Sequence, residues 1–151
     1  MRTVKYSPYL WNYGALPATW EDPEVVHPET GFRGDGDPID VLEIGKFTHK
    51  PGDIIRVKVL GALGLIDEGE MDWKILAIDI RDPTAQFING PADVLSLKKG
   101  CIEGIRDFFI NYKVPDGKAK NVLAWDGEVK DRAYAERVIE ECHQSYKKLA
   151  K

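Results

Sequence analysis

The chain predicts an α+β fold, mainly β, in which strands come first and helices pack around them. Three observations carry this. Period-two apolar patterns fill the middle of the chain, helical spacing takes over after residue 100, and strands and helices do not alternate as they would in a doubly wound sheet. The first third holds Tyr6, Tyr9, Trp11, Tyr13 and Trp20 among prolines at 8, 17, 23, 28 and 38, which argues against helices there. Ile39–Ile44 reads as a short strand, Pro51-Gly52-Asp53 as a turn, and Ile54–Leu60 as a half-buried strand with Ile55, Val57 and Val59 on one face. Trp73–Ile80 is a second strand, with Trp73, Ile75, Ala77 and Asp79 on one face and Asp72, Lys74, Leu76 and Ile78 on the other. Ile102, Ile105, Phe109 and Tyr112 recur at helical spacing, so a helix over about 100–112 is expected, ended by Pro115-Asp116-Gly117. Val122–Val129 reads as a last strand. Asp131 opens a final helix whose Ala135, Val138, Ile139, Cys142, Tyr146 and Leu149 form one stripe and whose lysines at 147, 148 and 151 suit its C-terminal end.

A length of 151 residues fits one domain over 1–151, and 43% hydrophobic with 30% charged residues is ordinary for a globular protein. The net charge of −4 argues against nucleic acid or an anionic membrane as a partner, since both demand a basic face. The apolar run Val59–Ile66 is too short to span a bilayer, and the start of the chain has no apolar h-region. A cytoplasmic protein is expected, with the mitochondrial matrix as the other compartment. Cys101 and Cys142 sit on apolar helix faces and lack zinc-site spacing, so both read as core thiols in a reducing compartment.

The chemistry concentrates in acidic loops. Asp35, Asp37 and Asp40 put three carboxylates into six residues, and Gly34, Gly36 and Pro38 supply bends that let them converge. Such crowding is costly unless cations neutralise it, and hard oxygen ligands suit magnesium, manganese or calcium. The loop is not an EF-hand: Ile39 takes the fifth position and Asp40 replaces the required glycine. A second acidic loop carries Asp67, Glu68, Glu70 and Asp72, with Lys74 on the same side of the strand if that strand begins early. Carboxylates to hold cations and a lysine to hold a phosphate oxygen form the inventory of a multi-metal phosphoryl site. Tyr112-Lys113, at a helix end, and Tyr9 and Tyr13, in the aromatic segment, offer further phosphate donors.

Gly34-Asp35-Gly36-Asp37-Pro38-Ile39-Asp40, Asp67-Glu68-Gly69-Glu70-Met71-Asp72-Trp73-Lys74, the segment Trp11–Pro17 with Thr19-Trp20-Glu21-Asp22-Pro23, and Tyr112-Lys113-Val114-Pro115-Asp116-Gly117-Lys118 together resemble the soluble family I inorganic pyrophosphatases, the eukaryotic-type branch above all. The resemblance runs through nearly the whole chain in the right order. It departs at Met71 and at Ala119-Lys120, positions without chemistry. It implies a small OB-like five-stranded β-barrel with two helices packed outside, and hydrolysis of pyrophosphate to two phosphates by a metal-activated water. By motif position it implies Asp35, Asp40, Asp67 and Asp72 as magnesium ligands, with manganese as a substitute, and Asp37 as general base. It further implies Tyr13, Lys74, Tyr112 and Lys113 on phosphate oxygens, with Tyr9, Glu68 and Glu70 supporting them. A homodimer is also implied.

Relative to that family the chain begins almost at the aromatic segment, without the stretch that supplies barrel strands and further acidic, lysine and arginine residues. Arg2 is a candidate stand-in for a phosphate-binding arginine, although its spacing to Tyr13 is short. The expectation is an incomplete barrel with an open edge, uncovered Val57, Val59 and Trp73, and slower turnover than a longer version would show. Two other readings compete: a catalytically impaired homologue or fragment serving as a binding or regulatory module, and an OB-like oligonucleotide binder. The acidic net charge opposes the latter.

Overall fold

The structure, a computed structural model, describes residues 11–149 and 151; Arg2 and Tyr9 lie outside the described residues. A six-stranded mixed sheet forms its centre, with strands β1 (Asn12–Ala15), β2 (Arg33–Gly34), β3 (Asp40–Glu43), β4 (Val57–Asp67), β5 (Glu70–Asp79) and β6 (Val122–Leu123). The helices are α1 (Pro91–Leu97), α2 (Cys101–Asn111) and α3 (Arg132–Leu149). Strand order is β1-β3-β5-β4-β6, with β2 also pairing β5. The α+β, mainly β expectation is met. Among the described residues the sheet is open rather than closed into a barrel, and three α-helices flank it where two were expected.

β5 is the axis. It pairs antiparallel with β4 and parallel with β3, where Asp40 stands opposite Lys74. The β4–β5 turn is only Glu68-Gly69, both with positive φ (52° and 81°), the left-handed pair that a type I′ hairpin requires. This tight turn starts β5 at Glu70, early enough to bring Glu70, Asp72 and Lys74 to one side.

Both faces of β5 are covered, so residues 71–79 are all buried. Leu76 and Ile78 join Leu42, Leu60, Leu63, Leu65, Val94, Ile102, Ile105, Phe108 and Phe109 in one core, beneath α1 and α2. Met71, Trp73, Ile75 and Ala77 join Ile39, Val41, Ala62, Ala135 and Val138 in the other, beneath α3. The alternation read from the sequence therefore sorts side chains between two cores, not between core and solvent. Trp73 is a correction: it is only 4% exposed, because Trp125, Tyr134 and His27 pack around its ring. Val57 and Val59 are half-buried against the same core.

Two local expectations change. The strand placed at Ile54–Leu60 begins at Val57 and runs on to Asp67 through Gly61 and Gly64. Those glycines let neighbours close in, since a Cβ at Gly61 would stand 2.5 Å from the Lys130 carbonyl oxygen. The strand placed at Val122–Val129 stops at Leu123, because Trp125 and Asp126 turn into left-handed backbone. The final helix starts as expected, with Asp131 Oδ1 accepting the Tyr134 amide at 2.9 Å as an N-cap. No helix of the described residues is long and apolar enough to cross a membrane.

Candidate active site

β2 carries the first acidic loop to the start of β5, pairing Arg33 with Glu70 and Gly34 with Met71. Gly34 is required there, because a Cβ would stand 2.4 Å from the Glu21 carbonyl oxygen. Gly36 turns the chain at φ +80°, and Asp35 Oδ1 accepts the Asp37 amide at 3.0 Å. The segment Trp20-Glu21 then clamps the loop. The Glu21 amide donates to the Asp37 carbonyl at 2.9 Å, the Gly36 amide donates to the Glu21 carbonyl at 2.8 Å, and the Trp20 indole donates to the Gly36 carbonyl at 2.9 Å. Asp35 is left half-buried and Asp37 exposed.

The parallel register of β3 on β5 sets the second group. Lys74, 2% exposed, donates to Asp40 Oδ2 at 2.6 Å, to Asp72 Oδ2 at 2.9 Å and to the Tyr13 hydroxyl at 2.8 Å. The Tyr13 hydroxyl in turn donates to Asp40 Oδ2 at 2.7 Å. The third group sits where α2 ends beneath the β4–β5 hairpin. The Tyr112 hydroxyl donates to Asp67 Oδ2 at 2.8 Å, Lys113 Nζ donates to Asp67 Oδ1, and Lys118 pairs with Glu68.

All three groups open into one cleft of about 390 Å³, lined by Tyr13, Asp35, Asp37, Asp40, Asp67, Glu68, Glu70, Asp72, Lys74, Phe109, Tyr112 and Lys113. Every site residue expected from the sequence and lying within the described residues is in it. The arrangement differs in detail. Asp40 is engaged by Lys74 and Tyr13, and Asp67 by Lys113 and Tyr112, while Asp35 and Asp72 converge with a residue the sequence did not single out, Glu21. One carboxylate oxygen of each of Glu21, Asp35 and Asp72 lies within 4.8 Å of the other two. Glu21 stands in a matching segment, but nothing in its local sequence marks it as buried; its burial comes from packing by distant segments.

Burial, reinforced by neighbouring carboxylates, pushes Asp35 up to about 6, Asp72 up to about 7 and Glu21 up to about 11. Burial also raises Tyr13 and Tyr112. For Lys74 burial acts downward, but Asp72 and Asp40 outweigh it and hold the ammonium charged. An all-oxygen cluster of desolvated carboxylates, none of them needed by a helix cap, fits a divalent cation.

Without metal, these carboxyl groups make the stability of the chain depend on pH. Asp35, Asp72 and Glu21 have folded-state values above their ordinary 3.8, 3.8 and 4.5. The stability that Asp35 and Asp72 allow is therefore complete below about pH 4 and is lost as pH rises through 6 and 7. Asp79, held low by its hydrogen bond from Arg81, acts below that window. The half-buried His27, held below its usual value by desolvation, works in the opposite direction over the same range, so thermal melts in chelator should compare the wild-type chain with Asp72→Asn: the wild-type Tm should fall more steeply between about pH 4.5 and 7.5, and magnesium should flatten its fall. Equal pH slopes for the two chains in chelator would refute the assignment.

A family model described as inorganic pyrophosphatase matches residues 2–147. The chain belongs to the inorganic pyrophosphatase family. It is 51% identical over 141 residues to an inorganic pyrophosphatase of Emericella nidulans, covering 93% of this chain and 49% of the relative. An inorganic pyrophosphatase of Drosophila melanogaster is 50% identical over 93% of this chain and 42% of its own length. Among solved structures, an N-terminal-domain-truncated Trypanosoma cruzi vacuolar soluble pyrophosphatase in complex with PPi superposes with a TM-score of 0.96 at 44% identity, covering 99% of this chain and 56% of that one. The Helicobacter pylori inorganic pyrophosphatase superposes at 0.73 with 27% identity, covering 97% of this chain and 77% of that one. The chain thus spans about half the length of the curated relatives it matches.

Proposed function

We propose that this pyrophosphatase-family chain hydrolyses inorganic pyrophosphate to two phosphates with magnesium. The observation that carries the reading is one cleft in which converging carboxylates face two buried lysines and two tyrosine hydroxyls. Asp35, Asp40, Asp67 and Asp72 would hold the cations, supported by Glu68 and Glu70. Bound divalent cations neutralise a polyanion and make water more acidic. Asp37, exposed at the mouth of the cleft, takes the proton of the attacking water. In the metal-free chain Lys74, Lys113, Tyr13 and Tyr112 donate to Asp40, Asp67 and Asp72; cations on those carboxylates would free the four donors for phosphate oxygens, where they would stabilise charge on the leaving group. No covalent phosphoenzyme is needed. The family reading also implies a homodimer and a cytoplasmic setting, the former open to light scattering.

Phosphate release from pyrophosphate and magnesium is the test. Cation binding without any release would instead favour a binding or regulatory module. Within the assay, Lys113→Ala and Tyr112→Phe should each lower kcat/KM about ten- to hundredfold, the loss of one charge-assisted contact worth about 1.5–3 kcal/mol. Because Lys113 neutralises Asp67, its removal should leave magnesium affinity unchanged or raise it. Calorimetry showing weaker magnesium binding by Lys113→Ala would count against its role as a substrate donor.

A further inference from the structure

We propose that Glu21 is a direct ligand of the cation held by Asp35 and Asp72. The inference rests on the metal-site reading above and extends it to a third segment of the chain.

Glu21 is 3% exposed, and its surroundings do not satisfy it. Oε1 accepts one hydrogen bond, from the Trp73 amide, at 3.3 Å. Oε2 is buried and has no hydrogen-bond donor among the described residues. The nearest ammonium is fully engaged: Lys74 has three N–H groups, and they go to Tyr13, Asp40 and Asp72. Ionising a buried carboxyl group beside two other carboxyl groups is costly unless something positive completes it, and a cation is what would let Glu21 bind as a carboxylate. The geometry supplies the place. Cations of the magnesium kind bind oxygens at about 2.1 Å in an octahedron, so ligand oxygens stand about 3 Å apart when adjacent and about 4 Å apart when opposite. The oxygens of Glu21, Asp35 and Asp72, all within 4.8 Å of one another, reach that spacing with a small inward movement.

The backbone around Glu21 serves the same end. Its amide and carbonyl lock the Asp35–Asp37 loop, and its carboxylate touches the start of β5 at Trp73. A cation bound by Glu21, Asp35 and Asp72 would tie three separate segments together, so binding should stabilise the fold as well as load the site.

The experiment compares the wild-type chain with Glu21→Gln, which keeps the shape and removes the charge, by magnesium calorimetry, manganese spin resonance and thermal melts with and without magnesium. Glu21→Gln should melt in chelator close to the wild-type temperature, because glutamine keeps the shape and an oxygen for the Trp73 amide. It should lose most of the magnesium-dependent rise in Tm, and its affinity for one cation should fall at least about tenfold, the loss that even an indirect partner of a ligand produces. Glu21→Asp, which retains the charge, should recover part of that affinity, and exposed Glu24→Gln should change neither readout. An unchanged isotherm in Glu21→Gln, or a lower Tm in chelator with the full magnesium gain intact, would mean that Glu21 only holds the Trp73 amide, and would overturn the proposal while leaving the metal site standing. A wild-type chain that binds no divalent cation would overturn both.

Discussion

Exhaustive chelation should abolish pyrophosphate hydrolysis by this chain, and added magnesium should restore it. The expectation comes from the charges already in the cleft. Asp35 and Asp72 meet Glu21 in a desolvated cluster, and the nearby ammonium of Lys74 is spent on Asp40, Asp72 and Tyr13. Asp67 consumes Lys113. Without added positive charge, a polyanionic substrate would enter against net repulsion. Cations reverse that balance and contribute several kcal/mol to the transition state, so their removal should cost more than about 10³-fold in rate at tenfold per 1.4 kcal/mol. Manganese should restore part of the rate. Calcium, which prefers oxygens at about 2.3–2.6 Å in looser geometry, should occupy the cluster and inhibit. Phosphate release measured over a metal titration checks this, and full turnover in chelator would remove the basis of the functional reading.

Asp37→Asn should lower turnover by about 10²–10⁴-fold, the range lost with a general base, while changing magnesium affinity little. The structure separates Asp37 from its neighbours. Its carbonyl is clamped by the Glu21 amide at 2.9 Å, so the loop keeps its shape when the side chain changes. Its carboxylate lies toward solvent, outside the cluster of Glu21, Asp35 and Asp72. Asparagine keeps the size and removes the basicity. Asp35→Asn, Asp40→Asn and Asp72→Asn should behave differently and raise the magnesium concentration needed for half-maximal rate. Pre-steady-state rates at saturating magnesium, with calorimetry of the metal alone, distinguish the two classes. Equal losses of metal affinity in all four variants would make Asp37 one more ligand.

Period and local chemistry by themselves determined much of this protein. Trp73, Ile75 and Ala77 alternate with Lys74, Leu76 and Ile78, and that alternation survives as the division between two cores. The spacing of Ile102, Ile105 and Phe109 placed α2 within a residue or so, because an amphipathic stripe is a local property. The acidic loops were legible because Asp, Gly and Pro at close spacing constrain the backbone wherever they occur, and the resemblance to a family rested on the same residues. Where local signals were weak the reading failed. Asn12–Ala15 becomes a strand only by pairing with β3, and the stretch after Leu123 leaves extended backbone because Trp125 and Asp126 are held left-handed. Tertiary structure alone decided which charges meet. Lys74 finds Tyr13 across 61 residues, Lys113 finds Asp67 across 46, and Glu21 finds the Trp73 amide across 52. Whether a carboxylate is solvated or becomes part of a cation site depends on what the rest of the chain packs against it, and desolvation by distant segments leaves no mark on the residues next to it in sequence.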